Sequence, residues 1–254
     1  GAKTYFISHE WHGFAHPDNS RIKTKTLIRT LQRLEAGEIP LVETFWQDQV
    51  NYSGKTETKA SEWKGLLAKA YLWVDWCCMP QPGAEPKSAE GTEPTEAEIA
   101  KMQKLREDGG KAIRSIPAYI ERSDMVVVVA PPGTHEDRKE DTSYRSWRSR
   151  GWCVMELYAC LFSRHKDSPG MVVNSAEGTP FYINPGQALW FMSVGGANFS
   201  CCQRNHRPFN LTATQQILLG DTATIPCDKP VVASILAPLI DGKIAHLHAA
   251  GNLH

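Results

Sequence analysis

The sequence has no excess charge of either sign, because 28 aspartates and glutamates balance 28 lysines and arginines. A protein that binds nucleic acid or an anionic membrane surface usually carries a basic patch, and a neutral chain gives no support for one. No apolar run approaches the length that spans a bilayer, so we expect no transmembrane segment. The sequence also lacks internal repeats, and its 254 residues are enough for one large domain or a domain with an appendage.

The seven cysteines include no Cys-x-x-Cys pair and no cysteine–histidine spacing of a known zinc motif. Their number is odd, and two pairs are adjacent in the sequence, where a disulfide rarely forms. We therefore expect reduced, mostly buried thiols, no metal site, and a reducing intracellular compartment such as the cytoplasm. Because the chain begins at Gly1 rather than Met, an organelle reached through a removed targeting peptide stays an alternative.

Three short apolar runs predict strands, at residues 5–7, 71–79 and 123–130. The second and third show no polar alternation, which is typical of central strands buried on both faces. Residues 171–174 and 180–183 are weaker strand candidates that could form a hairpin. Helical patterns separate these runs, and the alternation of strand and helix predicts an α/β fold with a mostly parallel sheet.

Apolar residues at helical spacing mark the segments between and after the strands. The clearest helix covers residues 21–36, with Asn19 or Ser20 as the predicted cap and Gly37 as the predicted end. Further helices are predicted at residues 58–70, at 96–106 behind a Thr95–Glu98 capping box, at 111–121 after a break at Gly109-Gly110, and at 211–219 and 231–240. The Pro- and Gly-rich residues 81–95 predict a surface loop.

The most informative stretch is residues 143–162, where hydroxyls and arginines give way to an apolar helix with a single charge, Glu156. A lone carboxylate in such a helix is unfavourable unless it is paired, hydrogen-bonded or protonated. Two interpretations stay open at this point. Glu156 is either part of a site or one half of a buried ion pair with Arg145, Arg148 or Arg150.

Polar residues follow the predicted strands, at the edge where parallel sheets form their sites. Ser8, His9 and Trp11 come after the first strand, Asp75 ends the second, and the helix of Glu156 follows the third. The sequence therefore predicts that three polar clusters face one rim of the sheet.

A metal or thiol enzyme would need the histidines or cysteines to converge within ligand distance. His9, His12 and His16, together with Glu10 and Asp18, match no strong zinc motif, and histidines are common in loops. We therefore expect no metal ligands among them.

Four segments resemble the boxes of Toll/interleukin-1 receptor (TIR) domains, in the order and spacing of that family. Phe6-Ile-Ser-His9 resembles the first box and Val74-Asp75 the acidic end of the second strand, while residues 113–129 resemble the helix and strand that follow. Ser149–Leu157 is similar to the Trp-Cys-x-x-Glu-Leu signature. Residues 71–81 also resemble the Trp-Ile-Asp…Gln motif of fungal heterokaryon-incompatibility domains, and the whole pattern is similar to a TIR-like group of algae and other protists.

The resemblance implies a flavodoxin-like fold over roughly residues 3–165 and, in catalytic members, cleavage of the bond between nicotinamide and ribose in NAD. The family's essential glutamate corresponds to Glu156, and no cofactor is required, since NAD would be the substrate. The residues that would bind the dinucleotide are Ser8, His9, Trp11, Asp75, Arg150 and Trp152. The alternative for Trp152 is packing in the core, and the alternative for Arg150 is a place on a solvent-exposed face.

Many TIR domains keep the glutamate and only assemble other proteins, so a non-catalytic scaffold or a subunit of a larger complex is the competing hypothesis. In either case the resemblance implies protein partners or self-association, and the balanced charge leads us to expect no nucleic acid. We divide the chain into a TIR-like domain of residues 1–195 and a partly helical C-terminal extension of residues 196–254 packed on it. The extension, the loop at residues 81–95 and His9, where many members have tyrosine, depart from the family.

Overall fold

A seven-stranded sheet forms the centre of the computed structural model, which describes residues 2–52, 55–81, 95–164, 170–184, 196–208 and 224–251. Its strands are β1 (Lys3–Ser8), β2 (Leu41–Thr44), β3 (Glu57–Lys59), β4 (Ala70–Val74), β5 (Met125–Val129), β8 (Gly170–Val173) and β9 (Phe181–Ile183), and a separate ribbon pairs β6 (Gly133–Thr134) with β7 (Asp141–Thr142). The predicted helix at 211–219 and most of the predicted loop at 81–95 lie outside the described residues.

Across the sheet the strands lie in the order β3-β2-β9-β8-β5-β1-β4. Strands β4, β1, β5 and β8 run parallel to one another, and β2 runs parallel to β9. Two antiparallel pairs, β8 with β9 and β2 with β3, complete the sheet. The protein therefore has the predicted α/β fold with a mostly parallel sheet, consistent with a flavodoxin-like arrangement, and the predicted hairpin at 171–183 is confirmed.

Helices lie on both faces of the sheet, as predicted. They are α1 (Ile22–Ala36), α2 (Trp46–Tyr52), α3 (Ala60–Trp63), α4 (Asp75–Cys78), α5 (Glu96–Arg114), α6 (Ile116–Arg122), α7 (Tyr144–Trp147) and α8 (Gly151–Leu161), followed by a short helix, Ser200–Gln203, and a C-terminal helix, Asp228–Ala249.

Alternating residues of β1 face these two helical layers. Tyr5 and Ile7 pack with Leu34 of α1 on one face, whereas Phe6 packs with Met155 of α8 on the other. Strand β5 divides in the same way, and all five of its residues are buried. A continuous apolar run is therefore what a strand between two helical layers requires, as the sequence predicted for β5.

Strand β4, predicted as a central strand, is instead the edge strand of the described sheet. Tyr71 is 68% exposed and Leu72 is 40% exposed. Their neighbour Trp73 points inward, where its ring stacks on Phe6 at 4.6 Å and on Tyr119 at 4.9 Å. The prediction was wrong because an apolar run reports hydrophobicity and carries no information on which strands flank it.

The single helix predicted at residues 58–70 is also wrong. This segment contains β3, the one-turn helix α3 and a 3-10 turn at Leu67–Lys69, and Gly65 interrupts it with a φ of 74°. Trp63 is buried in the core cluster that includes α1. The apolar spacing thus reflects the packing of a few side chains against α1 rather than a continuous helical face.

Helix α5 runs through Gly109-Gly110, where the sequence predicted a break. The interruption lies at Ser115, before Pro117 in the first turn of α6, where a proline lacks only an N–H that would be unpaired in any case. The capping box that begins α5 is confirmed, because the Glu98 carboxylate accepts a hydrogen bond from Thr95 N at 2.7 Å.

Helix α1 begins differently from the prediction and ends as predicted. Asp18, rather than Asn19 or Ser20, accepts hydrogen bonds from the backbone N–H groups of residues 23 and 24, at 3.1 and 2.8 Å. Arg21 has a φ of 59°, which turns the chain so that Asp18 reaches the helix start. Gly37 ends the helix with a φ of 75°, a conformation that glycine adopts without strain.

The segments after residue 195 attach to α8. The Phe199 ring packs where Gly151 leaves room for it, and the backbone N–H of Gly151 donates to the Asn198 carbonyl at 2.9 Å. Trp152 Nε1 donates to Asp228 Oδ2 at 3.1 Å, which ties α8 to the start of the C-terminal helix. These contacts span the proposed boundary at residue 195, and the division into two parts stays a prediction.

The C-terminal helix, Asp228–Ala249, is long and apolar enough to cross a membrane by length and composition. The expectation that no apolar run approaches that length is therefore wrong. Only 17% of its most apolar window is buried, and Val232, Ile235 and Leu236 form the part that packs against α8. Length and composition alone are weak evidence for a span, since core helices of water-soluble proteins share them.

The contact between Gly151 and Phe199 predicts that Gly151→Ala destabilises the protein, although a Gly→Ala change within a helix is usually stabilising. A Cβ at Gly151 would overlap the Phe199 ring, so we expect Gly151→Ala to destabilise the protein by about 1–3 kcal/mol. Gly242→Ala is the control, because the new Cβ would meet only Arg164 Cδ at 3.8 Å, and helix propensity should stabilise it by up to about 1 kcal/mol. Urea unfolding measures both, and equal stability of the two variants would contradict the docking of Phe199 on α8.

Candidate functional site

Strand β1 ends with Ser8, which shares the face of Phe6 and therefore points toward α8. Ser8 Oγ donates to Glu156 Oε2 at 2.5 Å, and Trp147 Nε1 donates to Ser8 Oγ at 3.0 Å. Ser8 and Trp147 are both buried, whereas Glu156 is partly accessible. An indole, a hydroxyl and a carboxylate thus form one chain of hydrogen bonds at the carboxyl end of β1.

Glu156 has no cationic partner among the described residues. Arg150 pairs with Glu10 instead, Arg148 lies over the Tyr144 ring, and no ion pair joins Arg145 to Glu156 in the described part of the chain. Burial raises the pKa of Glu156 to about 8, the Ser8 hydrogen bond lowers it in part, and the charge of Asp75 raises it. The structure therefore gives no support to the buried ion pair that the sequence left open.

Asp75, the first residue of α4, is the centre of a second cluster. His9 Nε2 lies 2.8 Å from its Oδ1, Trp11 Nε1 donates to its Oδ2 at 2.9 Å, and Trp76 N donates to its Oδ1 at 2.6 Å. Burial would raise the pKa of Asp75, but the hydrogen bonds from His9, Trp11 and Trp76 N and the charge of His9 outweigh it and lower the pKa. Asp75 is therefore ionised, and His9 Nε2 must donate to it.

Two tryptophans border the Asp75 cluster. Trp11 and Trp76 meet edge to face with ring centroids 5.5 Å apart, and both are only partly buried. The Gln81 side chain donates to the carbonyl oxygens of Asp75 at 3.0 Å and Met79 at 3.2 Å. Gln81 thus holds the turn after β4.

Glu10 is the centre of a third cluster, and the arginines of this cluster contact Gln203, after residue 195. Glu10 accepts a hydrogen bond from Ser146 Oγ at 2.5 Å and pairs with Arg138 at 3.2 Å and Arg150 at 3.5 Å. Both arginines also donate to Gln203 Oε1. The guanidinium of Arg150, predicted to bind a dinucleotide, is thus already surrounded by protein acceptors.

The structure brings some of the predicted site residues together and separates others. Ser8 and Glu156 are in direct contact, and His9 and Trp11 meet at Asp75, whose charge acts on Glu156. Arg150 and Trp152 contact the segments after residue 195 instead. The dinucleotide-binding role of all six residues stays a prediction.

Sequence reasoning missed Trp147 and Trp76 as site residues. Trp147 is fully buried against Ser8, and Trp76 lies against Trp11. Only their positions in the sequence could have identified them as site residues. Trp147 lies within the segment that carries Glu156, and Trp76 directly follows Asp75. Neither position reveals a contact, because both partners are distant in sequence.

The histidines after β1 have separate partners. His9 binds Asp75, His12 Nε2 lies 2.9 Å from Thr142 Oγ1, and His16 Nδ1 accepts a hydrogen bond from Asp18 N at 3.0 Å. A cluster of potential metal ligands lies elsewhere in the chain. The ligand atoms of Cys201, His206 and Cys227 all lie within 4.8 Å of one another, and the sequence did not predict this convergence.

The raised pKa of Glu156 predicts a pH-dependent stability. The folded protein keeps this proton up to about pH 8, whereas the unfolded chain releases it near pH 4.5. The unfolded state therefore binds fewer protons across this window, and the free energy of unfolding falls as pH rises, by up to about 1.4 kcal/mol per pH unit. The contribution is fully present below pH 4.5 and lost above about pH 8.

Glu156→Gln removes this dependence, so the difference in unfolding free energy between wild type and variant should fall from pH 5 to pH 8. Urea unfolding at several pH values measures it. Glu177→Gln is the control, because the hydrogen bond from Arg29 lowers the pKa of exposed Glu177 and leaves no titration in this range. A flat difference for Glu156→Gln would mean that this carboxylate is ionised in the folded protein.

Comparison with known proteins assigns the chain to no family. No protein-family model, no curated protein and no solved structure matches the chain.

Proposed function

We propose that this protein cleaves the bond between nicotinamide and ribose in NAD, with Glu156 as the essential carboxylate. One observation carries the proposal: Glu156 has no cationic partner among the described residues and is held by Ser8 at the carboxyl end of β1. Parallel sheets form their ligand sites at this edge. A carboxylate kept without a counter-charge there is suited to a ligand that brings positive charge itself.

The chemistry needs one carboxylate and no general acid. Nicotinamide in NAD is already cationic, so it leaves with the electron pair of the bond to ribose C1′ and becomes neutral. The ribose develops oxocarbenium character, and an ionised carboxylate beside C1′ stabilises that charge more strongly in a partly desolvated site than in water. Attack by water on C1′ completes hydrolysis, with loss of one proton, whereas attack by an adenine nitrogen would give a cyclic product.

The Asp75 cluster has the second role in this proposal. Asp75 fixes the orientation of the Trp11 indole through its hydrogen bond at 2.9 Å, and Trp76 supports it from the side. Partly exposed indoles are suitable surfaces for stacking a planar ring. We assign Trp11 and Trp76 to the binding of a ring of the dinucleotide, with Asp75 and His9 as positioning residues.

The direct test is NAD consumption by the purified protein, at high concentration with a crowding agent to favour assembly. We expect turnover that Glu156→Gln reduces by at least about 100-fold, because loss of a preorganised charge beside the reacting centre typically has this effect. Liquid chromatography with mass detection quantifies nicotinamide and distinguishes hydrolysed from cyclised product. Glu177→Gln, a change at an exposed carboxylate paired with Arg29, is the control and should leave turnover unchanged.

The pH profile separates a catalytic carboxylate from a structural one. If Glu156 acts in its ionised form, kcat/KM should rise with pH toward about 8, since this parameter reports the pKa of the free enzyme. Turnover that persists in Glu156→Gln would assign the chemistry to another residue or to a contaminant. Absence of turnover in the folded wild type would overturn the enzyme proposal.

A non-catalytic assembly module is the second candidate, and the edge strand β4 is the observation that favours it. The side chains of Tyr71 and Leu72 on this strand are 68% and 40% exposed. An edge strand with exposed apolar side chains is a template for pairing with another strand. In this candidate function, β4 pairs with β4 of a second copy of the chain.

The assembly candidate predicts concentration-dependent self-association that Tyr71→Lys abolishes, because a charge at the edge opposes strand pairing. Size-exclusion chromatography with light scattering measures the mass of both proteins over a range of concentrations. Val50→Lys replaces another exposed apolar residue, 76% exposed on α2, and should leave the mass unchanged. A wild-type protein that stays monomeric at every concentration, crowding included, would exclude this candidate.

A further inference from the structure

The cysteines and the histidine that converge after residue 200 come from two chain segments. Cys201 and Cys202 lie in the short helix Ser200–Gln203, His206 lies in the turn that follows, and Cys227 immediately precedes the C-terminal helix. One ligand atom from each of Cys201, His206 and Cys227 lies within 4.8 Å of the others. Cys202 Sγ is 3.9 Å from Cys201 Sγ and 3.8 Å from Cys227 Sγ.

The sulfur separations of 3.8 and 3.9 Å are those that a tetrahedral metal site requires. With zinc–sulfur bonds of about 2.3 Å, tetrahedral geometry places two sulfur ligands about 3.8 Å apart. A disulfide would instead require about 2.05 Å, and all seven cysteines are free. His206 adds an imidazole nitrogen within 4.8 Å of the Cys201 and Cys227 sulfur atoms.

The backbone around the cluster directs the ligands toward one point. Asn205 and His206 have φ values of 50° and 58°, and two consecutive non-glycine residues in this region are costly unless their surroundings fix them. His206 N donates to the Cys201 carbonyl at 2.7 Å, and Ile225 N donates to the His206 carbonyl at 2.6 Å. The turn is therefore held at both ends, with His206 next to Cys201.

A backbone group also binds a ligand sulfur directly. Asp228 N donates to Cys201 Sγ at 3.4 Å, an outer-shell hydrogen bond of the kind that orients metal ligands. Cys201 is buried, while Cys202, His206 and Cys227 are partly accessible. A metal ion can thus reach the cluster from solvent and become enclosed on one side.

We propose that the converging residues Cys201, His206 and Cys227 bind one Zn²⁺. Cys202, whose Sγ lies 3.9 and 3.8 Å from the other two sulfur atoms, supplies the fourth ligand of a closed, structural Cys₃His site. Thiolate and imidazole ligands favour Zn²⁺ over Mg²⁺ and Ca²⁺, and four protein ligands leave no open position for catalysis. The ion joins the short helix to the start of the C-terminal helix. Because Trp152 of α8 binds Asp228, next to Cys227, the ion also stabilises the attachment of both segments to α8.

The test titrates the full chain, reduced and stripped of metal, with Co²⁺ as a spectroscopic probe, and then displaces Co²⁺ with Zn²⁺. We expect one Co²⁺ per chain, with the intense visible bands of tetrahedral cobalt and a thiolate charge-transfer band. His206→Ala and Cys227→Ser should each weaken binding at least about 10- to 100-fold, since even outer-shell changes have that effect. Cys202→Ser should reduce the charge-transfer intensity by about a third, as one of three thiolates.

Two controls make the result specific. Cys77 and Cys78 form a second adjacent pair, which is exposed on α4, and replacing both with serine should leave Co²⁺ binding unchanged. Zn²⁺ should raise the Tm of the wild type and not that of His206→Ala, with circular dichroism confirming that the variant is folded. Absence of tetrahedral bands in the reduced wild type would overturn the proposal, as would bands that survive in folded His206→Ala.

Discussion

The hydrogen bond from Ser8 to Glu156 joins the first strand of the sheet to the helix that packs across it. A carboxylate on an otherwise apolar helix face loses much of its hydration, and no cation among the described residues compensates for this. The hydroxyl of Ser8, itself held by the indole of Trp147, is the polar partner that remains. The alternation of β1 fixes the arrangement, because Ser8 faces α8 only if Phe6 does.

The position of Glu156 also depends on residues far along the chain. Gly151 and Trp152, in the first turn of α8, contact Phe199 and Asp228, and Arg150 before them is enclosed by Glu10 and Gln203. The start of α8 is thus fixed by the segments after residue 195, while its middle is fixed by the sheet. The segments after residue 195 therefore contact the same helix that carries the carboxylate.

The sequence predicts best what depends on local pattern. The β-branched run of β5, the capping box of α5 and the solitary charge of Glu156 are all readable from neighbouring residues, and the structure contains each of them. Position within the sheet is not readable in this way, so β4 was assigned to the centre although it lies at the edge of the sheet that the described residues form. Convergence of Cys201 and His206 with Cys227 depends on two segments that fold back together, which no periodicity encodes.

The proton on Glu156 links the electrostatics of the site to the proposed reaction. A carboxyl group with a pKa of about 8 is largely protonated at neutral pH, so a ligand that needs its charge must first displace the proton. A cationic nicotinamide ring lowers the pKa of a nearby carboxyl, and its binding would therefore be coupled to proton release. In the proposed reaction nicotinamide would be neutral after cleavage, so the attraction that favours ionised Glu156 would be lost. The same desolvation that makes the carboxylate costly in the folded protein would thus favour a charged substrate over its neutral product.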